Sequence, residues 1–147
     1  MTRAQKAKEN FLGGLNCSQS VVMAFSDVLD VPETTLKAAL LPLGGGMGRL
    51  RETCGAVSGA AVTLGLLFAG MGKAEMYALV QELARRFTEK NGAINCGKLL
   101  SGAGLAVDTA PTPEARTSEY YHKRPCPELV YDAAQIVEEI CRERGRL

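Results

Sequence analysis

The stretch Thr53–Gly72, TCGAVSGAAVTLGLLFAGMG, carries no charged residue over 20 positions, and it decides the fold. A segment of this length is long enough to span a membrane. However, five glycines together with Ser58 and Thr63 make it only moderately apolar. The flanking segments are amphipathic and need an apolar surface to pack against. We therefore predict a buried central helix, whose small residues let neighbouring helices approach closely, and no membrane span.

The rest of the chain has the 3.6-residue periodicity of amphipathic helices and no useful β-alternation. We predict main helices over residues 3–12, 16–28, 73–90 and 126–140, and short helices that start near Pro32 and Asn95. The pattern fades from Ser101 to Pro125, which we interpret as an irregular excursion: either an ordered lid or a mobile surface loop. The predicted fold is all-α, a single compact bundle of five or six helices around the central Gly/Ala-rich helix, with residues 1–147 forming one domain.

Composition excludes several classes of function. The net charge is +1, which argues against a nucleic-acid binder that neutralises phosphates. Tryptophan is absent and aromatic residues make up 5% of the chain, so base-stacking platforms are not expected. The single histidine, His122, excludes a multi-histidine metal site. We interpret His122 as a loop residue, and the basic cluster His122-Lys123-Arg124 as a solvated surface.

Five cysteines are the unusual feature of the composition. The first residues, Met1–Lys6, contain no apolar stretch of the signal-peptide type, so we expect a cytoplasmic protein whose thiols are mostly reduced. Four cysteines fall in or just before a predicted first helical turn: Cys17, Cys54, Cys96 and Cys126. Helix N-termini stabilise thiolates and lower the cysteine pKa, which favours nucleophilic and metal-binding chemistry. Cys141 lies at the far end of the last predicted helix, and we expect it to be structural.

The spacing of the cysteines limits this chemistry. No C-x-x-C pair occurs, which argues against a zinc ribbon and a thioredoxin-type motif. Any bridge or cluster must therefore be assembled by the tertiary structure, with one cysteine from each helix. The alternative is that the cysteines are small buried hydrophobic residues.

A glycine-rich run, Gly44-Gly45-Gly46-Met47-Gly48, precedes the central helix. Arg49 and Arg51 follow it, which is compatible with an anion site at a helix start. No strand precedes the run and no GK[ST] follows it, so neither nucleotide-binding fingerprint is met. We favour a backbone turn that brings the Cys54 segment close to its neighbours.

The sequence Cys54-Gly55-Ala56-Val57-Ser58-Gly59 matches a C-G-A-x-x-G motif. With Cys17 upstream and Cys96 and Cys126 downstream, the chain resembles the C-GCAxxG-C-C family, whose members are regarded as redox-active largely because of their cysteines. Similar domains occur in some multi-cofactor electron-transfer proteins, so the resemblance also leaves an iron–sulfur role open. The sequence contains no C-x-x-C-H motif for covalent haem attachment.

Three hypotheses about function follow. In the first, the four cysteines form the centre of a thiol oxidoreductase: one thiolate attacks an oxidant or a disulfide of a partner protein or small molecule, and a second cysteine resolves the product. Cys54 is expected to be a central member, because the glycines around it allow close approach. In the second, the same four thiolates hold iron–sulfur or zinc. In the third, the domain is a non-catalytic interaction module. The sequence names no cofactor or specific partner, and it is compatible with a homodimer.

Overall fold

A computed structural model describes residues 1–147, and every regular element of the chain is a helix. The helices are α1 (Arg3–Leu12), α2 (Cys17–Met23), α3 (Glu33–Leu40), α4 (Gly55–Leu67), α5 (Lys73–Asn91), α6 (Cys96–Gly102), α7 (Ser118–Lys123) and α8 (Cys126–Glu143). Short 3₁₀ turns cover Ser26–Val28 and Leu41–Leu43. The all-α prediction is confirmed. The chain has eight α-helices where five or six were expected, and α7 lies in the segment predicted to be irregular.

Local capping explains where several of these helices begin. The side chain of Thr2 accepts a hydrogen bond from the Gln5 N–H and so caps α1. Asn16 caps α2 in the same way through the Gln19 N–H, and the Gln19 side chain accepts from the Asn16 N–H. Such reciprocal pairs satisfy two backbone donors that a helix start leaves open. Asn95 caps α6.

Three helices, α2, α4 and α8, share the centre of the molecule. Helix α4 packs against α2, α5 and α8, while α8 also runs along α1. The outer side of α4 is only half-buried, at Ala61, Val62 and Leu66. The expectation that this Gly/Ala-rich helix alone forms the centre is therefore not confirmed. None of the helices has both the length and the apolar character that crossing a membrane requires.

Helices α2 and α4 approach each other closely at two glycines of α4. A Cβ atom built on Gly59 would lie 2.6 Å from the carbonyl oxygen of Ser18 and 2.9 Å from its Cα. One built on Gly55 would lie 3.1 Å from the Cβ of Cys17. Because the contacts at Gly59 are with backbone atoms, a side chain there would push the two helices apart. The start of α2, which carries Cys17, is thereby held against the start of α4.

We expect Gly59→Ala to destabilise the protein, because its methyl group would collide with the Ser18 backbone. Overpacking of this kind costs about 1–3 kcal/mol. Gly65→Ala is the matched control, because Gly65 lies in the same helix with no atom within 4 Å of the added Cβ. There alanine should raise the free energy of unfolding by about 0.5–1 kcal/mol. Urea unfolding followed by circular dichroism measures both changes, and equal stability of the two variants would contradict the close contact.

Candidate functional site

A cavity of about 570 Å³ is lined by the four cysteines singled out in the sequence. Each stands at a helix start, as predicted: Cys17, Cys96 and Cys126 are the first residues of α2, α6 and α8, and Cys54 is the N-cap of α4. All are free thiols. Cys141 is buried in the second half of α8 and does not line the cavity. The tertiary structure thus brings four distant helix starts to one place.

Main-chain hydrogen bonds join the segment before α4 to the segment before α6, and Cys54 and Cys96 lie at this junction. The Cys54 N–H donates to the Ile94 carbonyl at 2.7 Å, and the Cys96 N–H donates to the Glu52 carbonyl at 2.6 Å. An isolated β-bridge between Thr53 and Asn95 completes the pairing. The starts of α4 and α6 are therefore held together by main-chain hydrogen bonds.

The glycine-rich run forms a tight left-handed turn against these helix starts. Every residue from Gly45 to Arg49 has a φ between 57° and 70°. Non-glycine residues seldom adopt this conformation, which costs roughly 1–2 kcal/mol each at Met47 and Arg49. A Cβ on Gly46 would lie 2.7 Å from the Cβ of Cys96. The run is therefore a close backbone turn, as the sequence indicated, and Gly46 leaves the space that Cys96 occupies.

The segment between α6 and α7 lies over the cavity as an ordered lid. Pro111, Pro113 and Glu114 line the cavity, so the lid covers the thiols. Arginines hold its main chain in place. Arg49 donates to the carbonyls of Ala110 and Thr112, and Arg51 donates to that of Asp108 at 2.9 Å. The segment thus has the position expected of a lid, one of the two structures left open for it.

Two further arginines, Arg116 and Arg124, belong to the cavity wall. The guanidinium of Arg116 lies 4.3 Å from the centre of the Phe11 ring and donates to the Phe11 carbonyl. Arg124 lies 4.8 Å from the centre of the Tyr120 ring and forms an ion pair with Glu114.

The interpretation of residues 122–124 as a solvated surface is wrong for Arg124. Its side chain is only 9% exposed, because Tyr120 and Glu114 cover it, while His122 and Lys123 are exposed as expected. Sequence reasoning missed both arginines as site residues. The one signal in the sequence that could have identified Arg124 as a site residue is its position two residues before Cys126, at a helix start marked by proline.

Cys126 is the thiol whose negative form the site stabilises. A hydrogen bond from Cys17 and the positive charges of Arg124 and Arg116 lower the pKa of Cys126 to about 7, although burial opposes this. The same hydrogen bond, together with burial, raises the pKa of Cys17. Near pH 7 the pair therefore exchanges between a state with two protons and a state with one proton and one negative charge, and the charge of the second state is favoured on Cys126.

Burial dominates at two of the other thiols. It raises the pKa of Cys54 to about 12 and that of Cys141 to about 11. The pKa of Cys126 is lowered, as expected, but by Cys17, Arg124 and Arg116 rather than by the helix start. At Cys54 the backbone N–H groups of Ala56 and Val57 lower the pKa as expected, and burial outweighs them; the pKa of Cys17 is also raised, against the expectation. The helix dipole is a weak effect compared with the loss of water around a thiolate.

The arrangement of side chains does not favour a metal centre. No group of three or more His, Cys, Asp or Glu side chains is placed to hold a metal ion. A tetrahedral zinc or iron–sulfur site needs sulfur atoms that converge on one point. The hypothesis of a metal or iron–sulfur module receives no support from this geometry.

Residues 15–140 match the model of a protein family, C_GCAxxG_C_C, described as "putative redox-active protein". The chain belongs to this family. The matched range includes all four cysteines that line the cavity. No curated protein and no solved structure matches the chain significantly.

We expect iodoacetamide to alkylate Cys126 with a rate that rises with pH, is half-maximal at about pH 7 and levels off about one pH unit higher, because only the thiolate reacts. Arg124→Gln should raise the pKa of Cys126 and slow alkylation at pH 6.5 by roughly threefold to tenfold. Arg124→Lys keeps the charge and should retain most of the rate. Site-resolved mass spectrometry gives the rate for each cysteine.

Arg85→Gln is the charge-matched control for this experiment, because Arg85 lies on α5 outside the cavity with a side chain that is 62% exposed. Arg85→Gln should leave the pH dependence of the Cys126 alkylation rate unchanged. A Cys126 profile that follows an ordinary thiol pKa in the unmodified protein would contradict the assignment.

Proposed function

We propose that this protein is a thiol–disulfide redox protein in which Cys126 is the attacking thiolate and Cys17 the resolving thiol. The observation that carries the proposal is that Cys17 and Cys126 line one cavity with Arg116 and Arg124, and that the two thiols shift each other's pKa in opposite directions. A thiolate with a pKa near the ambient pH is the most effective attacking group in disulfide exchange. Membership of a redox-active family supports the same conclusion.

The proposed reaction has two steps. In the first, the Cys126 thiolate attacks one sulfur of a substrate disulfide, a new S–S bond forms, and the other substrate sulfur leaves as a thiolate that takes up a proton. In the second, Cys17 loses its proton and attacks the Cys126 sulfur, and the remaining substrate thiolate leaves. Two electrons pass to the substrate, which becomes two thiols, and the protein is left with a Cys17–Cys126 disulfide. A dithiol reductant reverses both steps.

The coupling between the two cysteines sets the order of these steps. The thiolate of Cys126 is the largest cause of the raised pKa of Cys17. When Cys126 forms the mixed disulfide, its sulfur loses the negative charge and no longer accepts a strong hydrogen bond from Cys17. The pKa of Cys17 then falls, so Cys17 becomes a nucleophile only after Cys126 has reacted.

In this proposal Cys54 is a wall residue, because the pKa of about 12 keeps its thiol protonated. This differs from the expectation that Cys54 is central to the chemistry. Cys96, whose sulfur accepts a hydrogen bond from Arg51 at 3.6 Å, is a second wall thiol. A cytoplasmic location, where thiols remain reduced, is part of the proposal.

Serine variants test the two roles. With a small-molecule disulfide in excess, Cys17→Ser should accumulate a mixed disulfide on Cys126, because no resolving thiol is present. Cys126→Ser should lose at least about tenfold in the rate of disulfide consumption, since its thiolate is the reacting group. Intact-protein mass spectrometry detects the adduct, and peptide mapping locates it.

Cys141→Ser is the control, because Cys141 lies outside the cavity, and it should react as the unmodified protein does. A double variant, Cys54→Ser with Cys96→Ser, should still form the Cys17–Cys126 disulfide. An adduct on Cys54 or Cys96, or a reaction rate that Cys126→Ser leaves unchanged, would overturn the assigned roles.

A further inference from the structure

The cavity concentrates positive charge. Four of its lining residues are arginines: Arg49, Arg51, Arg116 and Arg124. Glu114 is the one carboxylate among the lining residues. The chain as a whole has a net charge of +1. Most of these guanidinium groups donate to main-chain carbonyls, which accept a hydrogen bond without cancelling a charge. The wall therefore keeps a positive potential that Glu114 and the Cys126 thiolate offset only in part.

Arg49 carries the clearest sign of a missing ligand. The residue is 9% exposed, and its Nη1 atom donates to the carbonyls of Ala110 and Thr112. Its Nη2 atom is buried and has no hydrogen-bond partner. The Glu114 carboxylate forms a long ion pair with this atom at 3.9 Å, which is beyond hydrogen-bond distance. A buried charged donor without an acceptor is costly, so the site fits an acceptor that a ligand supplies.

The glycine turn, which forms part of the cavity wall, contains backbone donors without a partner in the protein. The backbone N–H groups of Gly45 and Gly46 donate to no acceptor in the protein, and both residues line the cavity. Arg49 itself belongs to this left-handed turn, with a φ of 65°. Backbone N–H groups beside a guanidinium are a combination that binds carboxylates and other oxyanions.

We propose that the substrate is a low-molecular-weight disulfide that carries carboxylates, with a carboxylate bound at Arg49 and the disulfide bond at Cys126. The inference rests on the proposed function and names its substrate class. A cavity of about 570 Å³ under a lid suits a small molecule. The disulfide takes two electrons from Cys17 and Cys126 in the same two steps. The products are two carboxylate-bearing thiols and the Cys17–Cys126 disulfide.

Three disulfides of similar size and different charge test the proposal. They are dithiodiglycolate, a dianion; bis(2-hydroxyethyl) disulfide, which is neutral; and cystamine, a dication. The reduced protein is mixed with each one, and the second-order rate of thiol loss is divided by the rate of the same disulfide with dithiothreitol. We expect the normalised rate for the dianion to exceed that for the neutral disulfide by about tenfold, and cystamine to be slowest.

Variants at two positions separate ligand binding from lid stability. Arg49→Gln should bring the dianion-to-neutral rate ratio close to one. Glu114→Gln should increase that ratio, because it removes the carboxylate that competes for Arg49. If either variant acts only by loosening the lid, all three disulfides change together and the ratio stays constant, which overturns the role of Arg49. Arg85→Gln, outside the cavity, controls for the loss of one charge and should leave the ratio unchanged.

The failure of this inference is distinct from that of the proposed function. Equal normalised rates for the three disulfides in the unmodified protein would overturn the anionic substrate and leave the thiol–disulfide reaction in place. If none of the three disulfides oxidises the protein, the proposed function itself is overturned.

Discussion

The close contact between α2 and α4 is the constraint on which the rest of the structure depends. At Gly59 the two backbones are so close that a Cβ atom would lie 2.6 Å from a main-chain oxygen of α2. Four residues earlier on α4, Gly55 faces the Cβ of Cys17. The same contact therefore determines both the packing of the centre and the position of Cys17. A side chain at either glycine would move a helix start as well as disturb the core.

The second feature of the molecule is the use of arginines to close a cavity that contains thiols. Arg49, Arg51 and Arg116 fasten the lid and the neighbouring α1 end through main-chain carbonyls. Carbonyl acceptors satisfy most of these donors without cancelling the positive charge, and the Nη2 atom of Arg49 is left without an acceptor. Arg116 both fastens the lid to the end of α1 and lowers the pKa of Cys126. Arg49 holds the lid and is also the candidate anion-binding residue.

Capping and periodicity made much of the fold predictable. Asn16 and Asn95 mark helix starts because an N-cap acts on N–H groups within three residues. The placement of Cys17, Cys96 and Cys126 at helix starts followed from these caps and from Pro127, and that of Cys54 from the start of the uncharged stretch. The structure confirms all four. Helix α7 and its cap Thr117 were missed, because six residues with no buried side chain give little periodic signal.

The sequence by itself determined the all-helical class, the helix starts and the identity of the four candidate cysteines. These depend on interactions between near neighbours in the chain, which a linear pattern records. The tertiary structure alone decided that the four thiols share a cavity, that Cys126 carries the charge, and that Arg124 is buried above it. A cysteine pKa depends on the water that packing excludes and on charges brought from distant segments, and no local pattern contains either quantity.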